Sequence, residues 1–227
     1  MGKFLSMLRV EEEEQCRSAP HAGQNVAYEL RGKEERYLMS GMRSPATWQF
    51  LDSSVHAECK VFHILKKRFR HPERKTESDF YVLHSRPWAN ICAVTAQREL
   101  VMIRQFRFGV QDYAWEFPGG IIDPEEDPVD AAVRELREET GYAGRNARII
   151  GKVWPNPAIQ DNQCTLVRVD QATLDHATDW DENEEIEVAL IPFEELQTWG
   201  VSGKMKHSIA LNQLYFLEKS LAEEDAL

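Results

Sequence analysis

GGIIDPEEDPVDAAVRELREETGY, residues 119–142, joins a glycine turn to a densely charged helix. Asp127 can cap a helix whose first residue is Pro128, the place proline tolerates best, and Asp130 adds favourable charge in the first turn. Val129, Ala132, Val133 and Leu136 recur at helical spacing and predict the buried stripe. Gly141 is a natural stop. On this helix Glu135, Glu138 and Glu139 share an arc of about 100°, away from Val129, Val133 and Leu136. Exposed to water, like charges at this spacing cost only about 0.2–0.5 kcal/mol. In a cleft, two carboxylates about 5.5 Å apart repel by roughly 3 kcal/mol at an effective dielectric near 20, and a divalent cation reverses that sign. The helix alone leaves a solvated acidic face and a metal site equally open.

Upstream, ANICAVTA and ELVMIRQFRF predict a hairpin whose first arm is buried on both faces, and WEFPGG leads into the turn. SSVHAECKVFHILKKRFRH and DFYVLHS alternate apolar and polar residues, as strands around a basic turn do. Downstream, ARIIGKVWP and QCTLVRVD predict strands separated by NPAIQDN. TDWDENEE is an acidic loop, IEVALIPF a strand and PFEELQTWG a short helix. KMKHSIALNQLYFLEKSLA predicts an amphipathic helix with Ile209, Leu214, Leu217 and Leu221 on its apolar side. Residues 1–46 are polar without a sustained period and read as an irregular or partly helical extension. Strands mixed with two or three helices give an α/β class, a sheet held between helices.

Composition limits the function. A net charge of −11 argues against a nucleic-acid binder, which needs a basic footprint, yet allows an anionic ligand screened by a metal or a local basic cluster. Four widely spaced cysteines without a CxxC read as reduced thiols in a cytoplasmic protein. No apolar run reaches the roughly 20 residues of a membrane span. MGKFLSML is too short for a secretory signal but fits the myristoylation acceptor pattern through Gly2 and Ser6.

From Gly120, five residues lead to Glu126 and seven more to Arg134-Glu135; Leu136, Glu138-Glu139 and Gly141-Tyr142 complete the run. This resembles the signature of the Nudix hydrolases, G-x5-E-x7-R-E-U-x-E-E-x-G-U, in which U is a bulky apolar residue. All seven fixed letters match, and chance would supply that at a given start about once in 10⁸. Tyr142 departs from the aliphatic preference at a packing position. The resemblance implies an α/β/α sandwich with a mixed sheet and a loop-helix-loop that holds Mg²⁺ or Mn²⁺ for attack of water on a diphosphate. Glu135 and Glu139 are then the core metal ligands, Glu138 a ligand or its support, and the Gly119 carbonyl a further donor. Arg134 holds the glutamates or, alternatively, faces substrate. Glu126 orients the turn or reaches a metal through water.

The chain also resembles the branch of that family that cleaves ADP-ribose and other nucleoside diphosphate sugars. WANICAVTAQRELVMIRQFRFGVQDYAWEFPGG, NPAIQDN with Pro157, DENEEIEV and GKMKHSIAL carry this likeness. It implies a catalytic carboxylate in the acidic loop, with Glu184 favoured over Glu182; Asp181, Glu185 and Glu187 are weaker candidates. Arg104 and Arg107 alternate on one strand, so one faces the cleft, and Arg107 is favoured for the diphosphate. Trp48, Trp88 and Phe106 are stacking candidates, with Trp88 placed at a base pocket built by a dimer. Residues 47–86 would be strands that pair two subunits, and 87–222 the hydrolase domain. GDP-mannose or a dinucleotide such as NADH is the alternative substrate, and a non-catalytic nucleotide-sugar sensor the alternative class.

Overall fold

The computed structural model describes residues 45–180 and 182–224. The Gly2 pattern, Cys16, all but the end of the 1–46 extension and Asp181 lie outside them. Three strands come first: β1 (Gln49–Glu58), β2 (His63–Arg70) and β3 (Glu77–His84), an antiparallel sheet in that order. The run read as one strand before the basic turn is thus two, folded at residues 59–62. Phe50, Phe69 and Phe80 form edge contacts along one side of the sheet, 5.6 and 5.7 Å between successive rings, and Trp48 and His71 extend the row.

β4 (Trp88–Ala93) and β5 (Glu99–Arg107) follow, and they do not pair as the hairpin expected from sequence. One bridge joins them, Val94 to Leu100; beyond it they enter different sheets. β5 lies between β6 (Asp112–Glu116) and β10 (Glu187–Pro192). β4 lies between the short β7 (Gly119–Ile121) and β9 (Cys164–Leu174), which also pairs with β8 (Tyr142–Val153). β4 runs parallel to β9 and the other pairings are antiparallel, so this sheet is mixed. Separation lets both strands be buried on both faces, as their apolar runs demand.

Alternation on β4 and β9 assigns the layers. Ala89, Ile91, Ala93, Val167 and Val169 cluster with Ala131, Ala132 and Leu136 of α1 (Pro128–Thr140). Cys92, Cys164 and Leu166 turn the other way, toward α2 (Phe193–Ser202) and α3 (Ser208–Glu224). Ile209, Leu214 and Leu217 are buried on α3 together with Ala210 and Gln213, and Leu221 packs beside them. The expected α1 stripe needs one change. Val133 is 39% exposed and Ala131 takes the inner position, because the helix is rolled to bring its glutamates toward the β7 turn.

Candidate active site

Asp127 caps α1 by accepting the Val129 N–H at 2.8 Å, and Pro128 opens the first turn. Gly141 ends it at φ 73°, a left-handed conformation glycine adopts without strain. Both ends are therefore set by local sequence. Gly120 meets the other requirement of the turn: a Cβ there would run into the Glu135 carboxyl group.

The carboxylates divide into two environments. Arg134 collects three of them. Its Nε and Nη2 donate to Glu126 at 2.9 and 3.0 Å, and its Nη1 donates to Glu135 at 2.8 Å and to Glu138 at 3.0 Å. Nη2 also reaches the Ile121 carbonyl at 3.2 Å, which ties the turn to the helix. Glu126 accepts the Asp123 N–H as well, and Arg134 above all holds its carboxyl below the usual range. Arg134 therefore organises the glutamates, and Glu126 braces Arg134.

Glu139 is different. Its side chain is 4% exposed and accepts the Gly119 N–H at 2.8 Å. Among the described residues, no side-chain cation forms an ion pair with it. Burial pushes its carboxyl well above the ordinary carboxylate value; Glu135, Glu184 and Glu116 push the same way, against the Gly119 N–H. Burial also raises Glu135, with Glu138 and Glu184 adding to it and Arg134 opposing. A buried carboxylate surrounded by others is suited to binding a positive charge. The donors are hard oxygens, which suit Mg²⁺ or Mn²⁺. Among the described residues no group of three acidic, histidine or cysteine side chains is gathered closely enough to hold a metal ion. Mg²⁺ needs none, since it keeps several waters and uses one or two carboxylates with substrate phosphates.

The acidic loop reaches this cluster because it finishes α1. A helix leaves its last carbonyls without partners. Here the Asp179 N–H donates to the Glu138 carbonyl at 2.8 Å, and Trp180 Nε1–H to the Glu139 carbonyl at 2.9 Å. The N–H groups of Asp175 and His176 both reach the Gly141 carbonyl at 3.0 Å. Strapped this way, the loop places Glu184, half-buried, where its charge is felt at Glu135 and Glu139. Glu182 and Glu185 are exposed, and Glu187 pairs with Arg104 at 3.1 Å.

The two arginines of β5 face opposite ways. Arg104 lies 4.7 Å from the centre of the Tyr113 ring, beside Glu187. Arg107 forms a two-pronged pair with Glu116, at 2.8 and 2.6 Å, beside the Glu139 cluster. Trp88 packs partly buried with Cys164, Ile209 and Phe216, on the α3 side of the sheet. Pro157 is exposed, in a loop tied to β3 through Leu83, whose N–H donates to the Ile159 carbonyl at 2.7 Å. Sequence reading missed Glu116, His207 and Trp180. Glu116 sat in a strand and His207 before a helix, where neither type is unusual. Only the tryptophan inside an acidic loop was a usable signal.

A family model, NUDIX domain, matches residues 84–211. The chain belongs to the Nudix family. The glycine turn, α1 and the strapped loop all lie inside the matched segment. Relatives of the Nudix chain include a CMP-5′-(N-acetyl-N-hydroxy-3-aminopropyl)phosphonate hydrolase of Streptomyces rubellomurinus, 37% identical over 39% of this chain and 43% of that protein. An ADP-ribose pyrophosphatase of Bacillus subtilis is 29% identical over 46% of this chain and 57% of that one. The chain thus spans about half the length of these curated relatives. A crystal structure of an ADP compounds hydrolase superposes on 82% of this chain and all of its own, with a TM-score of 0.71 and 18% identity, a likeness of fold. No helix among the described residues is long and apolar enough to cross a membrane.

Proposed function

We propose that the protein hydrolyses the diphosphate linkage of ADP-ribose or a related nucleoside diphosphate sugar, giving a nucleoside monophosphate and a sugar phosphate. The observation that carries this is the Glu139 carboxyl, buried among Glu135, Glu184 and Glu116 on the Gly119 turn and, among the described residues, without a paired side-chain cation. Glu135 and Glu139 would hold Mg²⁺ or Mn²⁺, with Glu138 and the Gly119 carbonyl in support. When bound, the ion neutralises the diphosphate and acidifies water. Arg134 fixes the directions of Glu135 and Glu138, and Glu126 fixes Arg134. Glu184 takes the proton from the attacking water, and Arg107 meets the negative phosphate oxygens. The name of the Bacillus subtilis relative supports a nucleotide-sugar substrate.

The division at residues 47–86 and 87–222 belongs to the same proposal. β1 is exposed along its length, and Phe50, Val55 and Phe80 are exposed on its sheet, which supports a homodimer through the N-terminal strands. We place the protein in the cytoplasm. The test is a panel of ADP-ribose, GDP-mannose, NADH and the cytidylyl phosphonate class, assayed with Mg²⁺ and with chelator. Release of AMP and ribose 5-phosphate from ADP-ribose, lost with chelator, is expected. Turnover confined to NADH or the phosphonate would overturn the substrate assignment, and turnover undiminished in chelator the metal.

A further inference from the structure

Glu116 is 1% exposed at the end of β6, and the hydrolysis proposed above gives it no task. Burying a carboxylate this deeply requires pairing. Arg107 supplies it through Nε and Nη2, at 2.8 and 2.6 Å, while its own side chain stays 44% exposed. The fork leaves Nη1 to meet an anion. On the other side, His207 Nε2 lies 3.6 Å from Glu116 Oε2. His207 immediately precedes α3 and caps it: Nδ1 accepts the Ala210 N–H at 3.4 Å, and its carbonyl accepts the Leu211 N–H at 3.1 Å. An imidazole that accepts at Nδ1 carries its proton on Nε2, so an N–H faces the carboxylate. Glu116 is thereby held between a β5 arginine and the first turn of the last helix.

We propose that Glu116 and His207 are positioning residues for Arg107, through which α3 sets the aim of the guanidinium at the substrate diphosphate. This rests on the phosphate-binding role proposed for Arg107. A pre-held arginine loses less freedom when the anion arrives, so the arrangement acts on binding.

The test is calorimetry with α,β-methylene ADP-ribose, which resists cleavage, in the presence of Mg²⁺. It uses the wild type, Arg107→Ala, Glu116→Gln, His207→Ala and the two double variants containing Arg107→Ala. Arg107→Ala is expected to weaken binding about tenfold or more, as loss of a charged hydrogen bond does. Glu116→Gln and His207→Ala should each weaken it by a smaller factor. Each double variant should bind no more weakly than Arg107→Ala alone, because residues that act through one partner are not additive. Should His207→Ala fail to fold, His207→Asn keeps a helix cap and replaces it. Additive losses overturn the proposal, as does a Glu116→Gln protein that loses Mg²⁺ uptake without nucleotide. A wild type that neither binds the analogue nor cleaves ADP-ribose removes the functional reading, and this proposal with it.

Discussion

At Glu139, activity and stability pull in opposite directions. The raised carboxyl means that the fold favours its neutral form, so ionised Glu139 lowers the stability of the metal-free protein near neutral pH. Glu139→Gln keeps an acceptor for the Gly119 N–H and removes the charge. Steady-state assays in Mg²⁺ should show a loss of at least about 100-fold, beyond the ~10–100-fold usual for residues behind a metal ligand. Thermal unfolding in chelator should show a melting temperature no lower than wild type; a marked drop would make Glu139 a structural residue. The thiols provide a second check at this scale. Burial pushes Cys164 up to about 12 and Cys92 higher still. Thiol reagents at neutral pH should label exposed Cys59 while sparing Cys92 and Cys164 until the chain is unfolded, as peptide mapping will show.

At the scale of elements, α1 and the strap across its end form one device. Trp180→Phe deletes the N–H that reaches the Glu139 carbonyl but keeps the ring. It should lower kcat about tenfold, with global stability within about 1 kcal/mol of wild type, since a single hydrogen bond contributes that much. A variant with wild-type kcat would mean the strap does not place the loop. Gly141→Ala is expected to be worse for the fold, because the left-handed conformation disfavours alanine and a Cβ would meet the His176 carbonyl. Urea unfolding should register a loss above about 1 kcal/mol. Helix α1, its caps and the spacing of its glutamates were legible because they depend on neighbours within a few residues. The β4–β5 pairing was not, since two apolar strands joined by a short turn look alike whether they share a sheet or separate. Val133 misled for a related reason: helical periodicity gives a face, but the burial of Glu139 decides how the helix is rolled. Glu116 had no local mark, as its partners Arg107 and His207 come together only in the folded chain.

For the whole molecule, Asp161 joins the N-terminal sheet to the rest. It accepts from Lys67 at 2.8 Å and contacts His84 Nδ1 at 3.0 Å, while Leu83 bonds the same loop through its backbone. Burial pushes the Asp161 carboxyl up, but Lys67 and His84 outweigh it and hold it below its usual value. A depressed carboxyl contributes stability above its unfolded value, near 3.9, and loses it as pH falls through the folded one. Asp161→Asn should therefore cost about 1 kcal/mol at pH 7, and the gap to wild type should narrow towards pH 3 in parallel urea titrations. An equal gap at both pH values would assign the loss to shape instead of charge. Size-exclusion chromatography should give a dimer that Phe50→Asp with Val55→Asp dissociates; an unchanged elution volume would move the interface elsewhere. The claim beneath all of this is that a divalent ion belongs at the carboxylates of α1. Its most direct test is calorimetric titration of Mg²⁺ and Mn²⁺ into wild type and Glu139→Gln. Saturable uptake by the wild type, abolished in the variant, is the expected result; equal uptake by both proteins, or none by either, would contradict it.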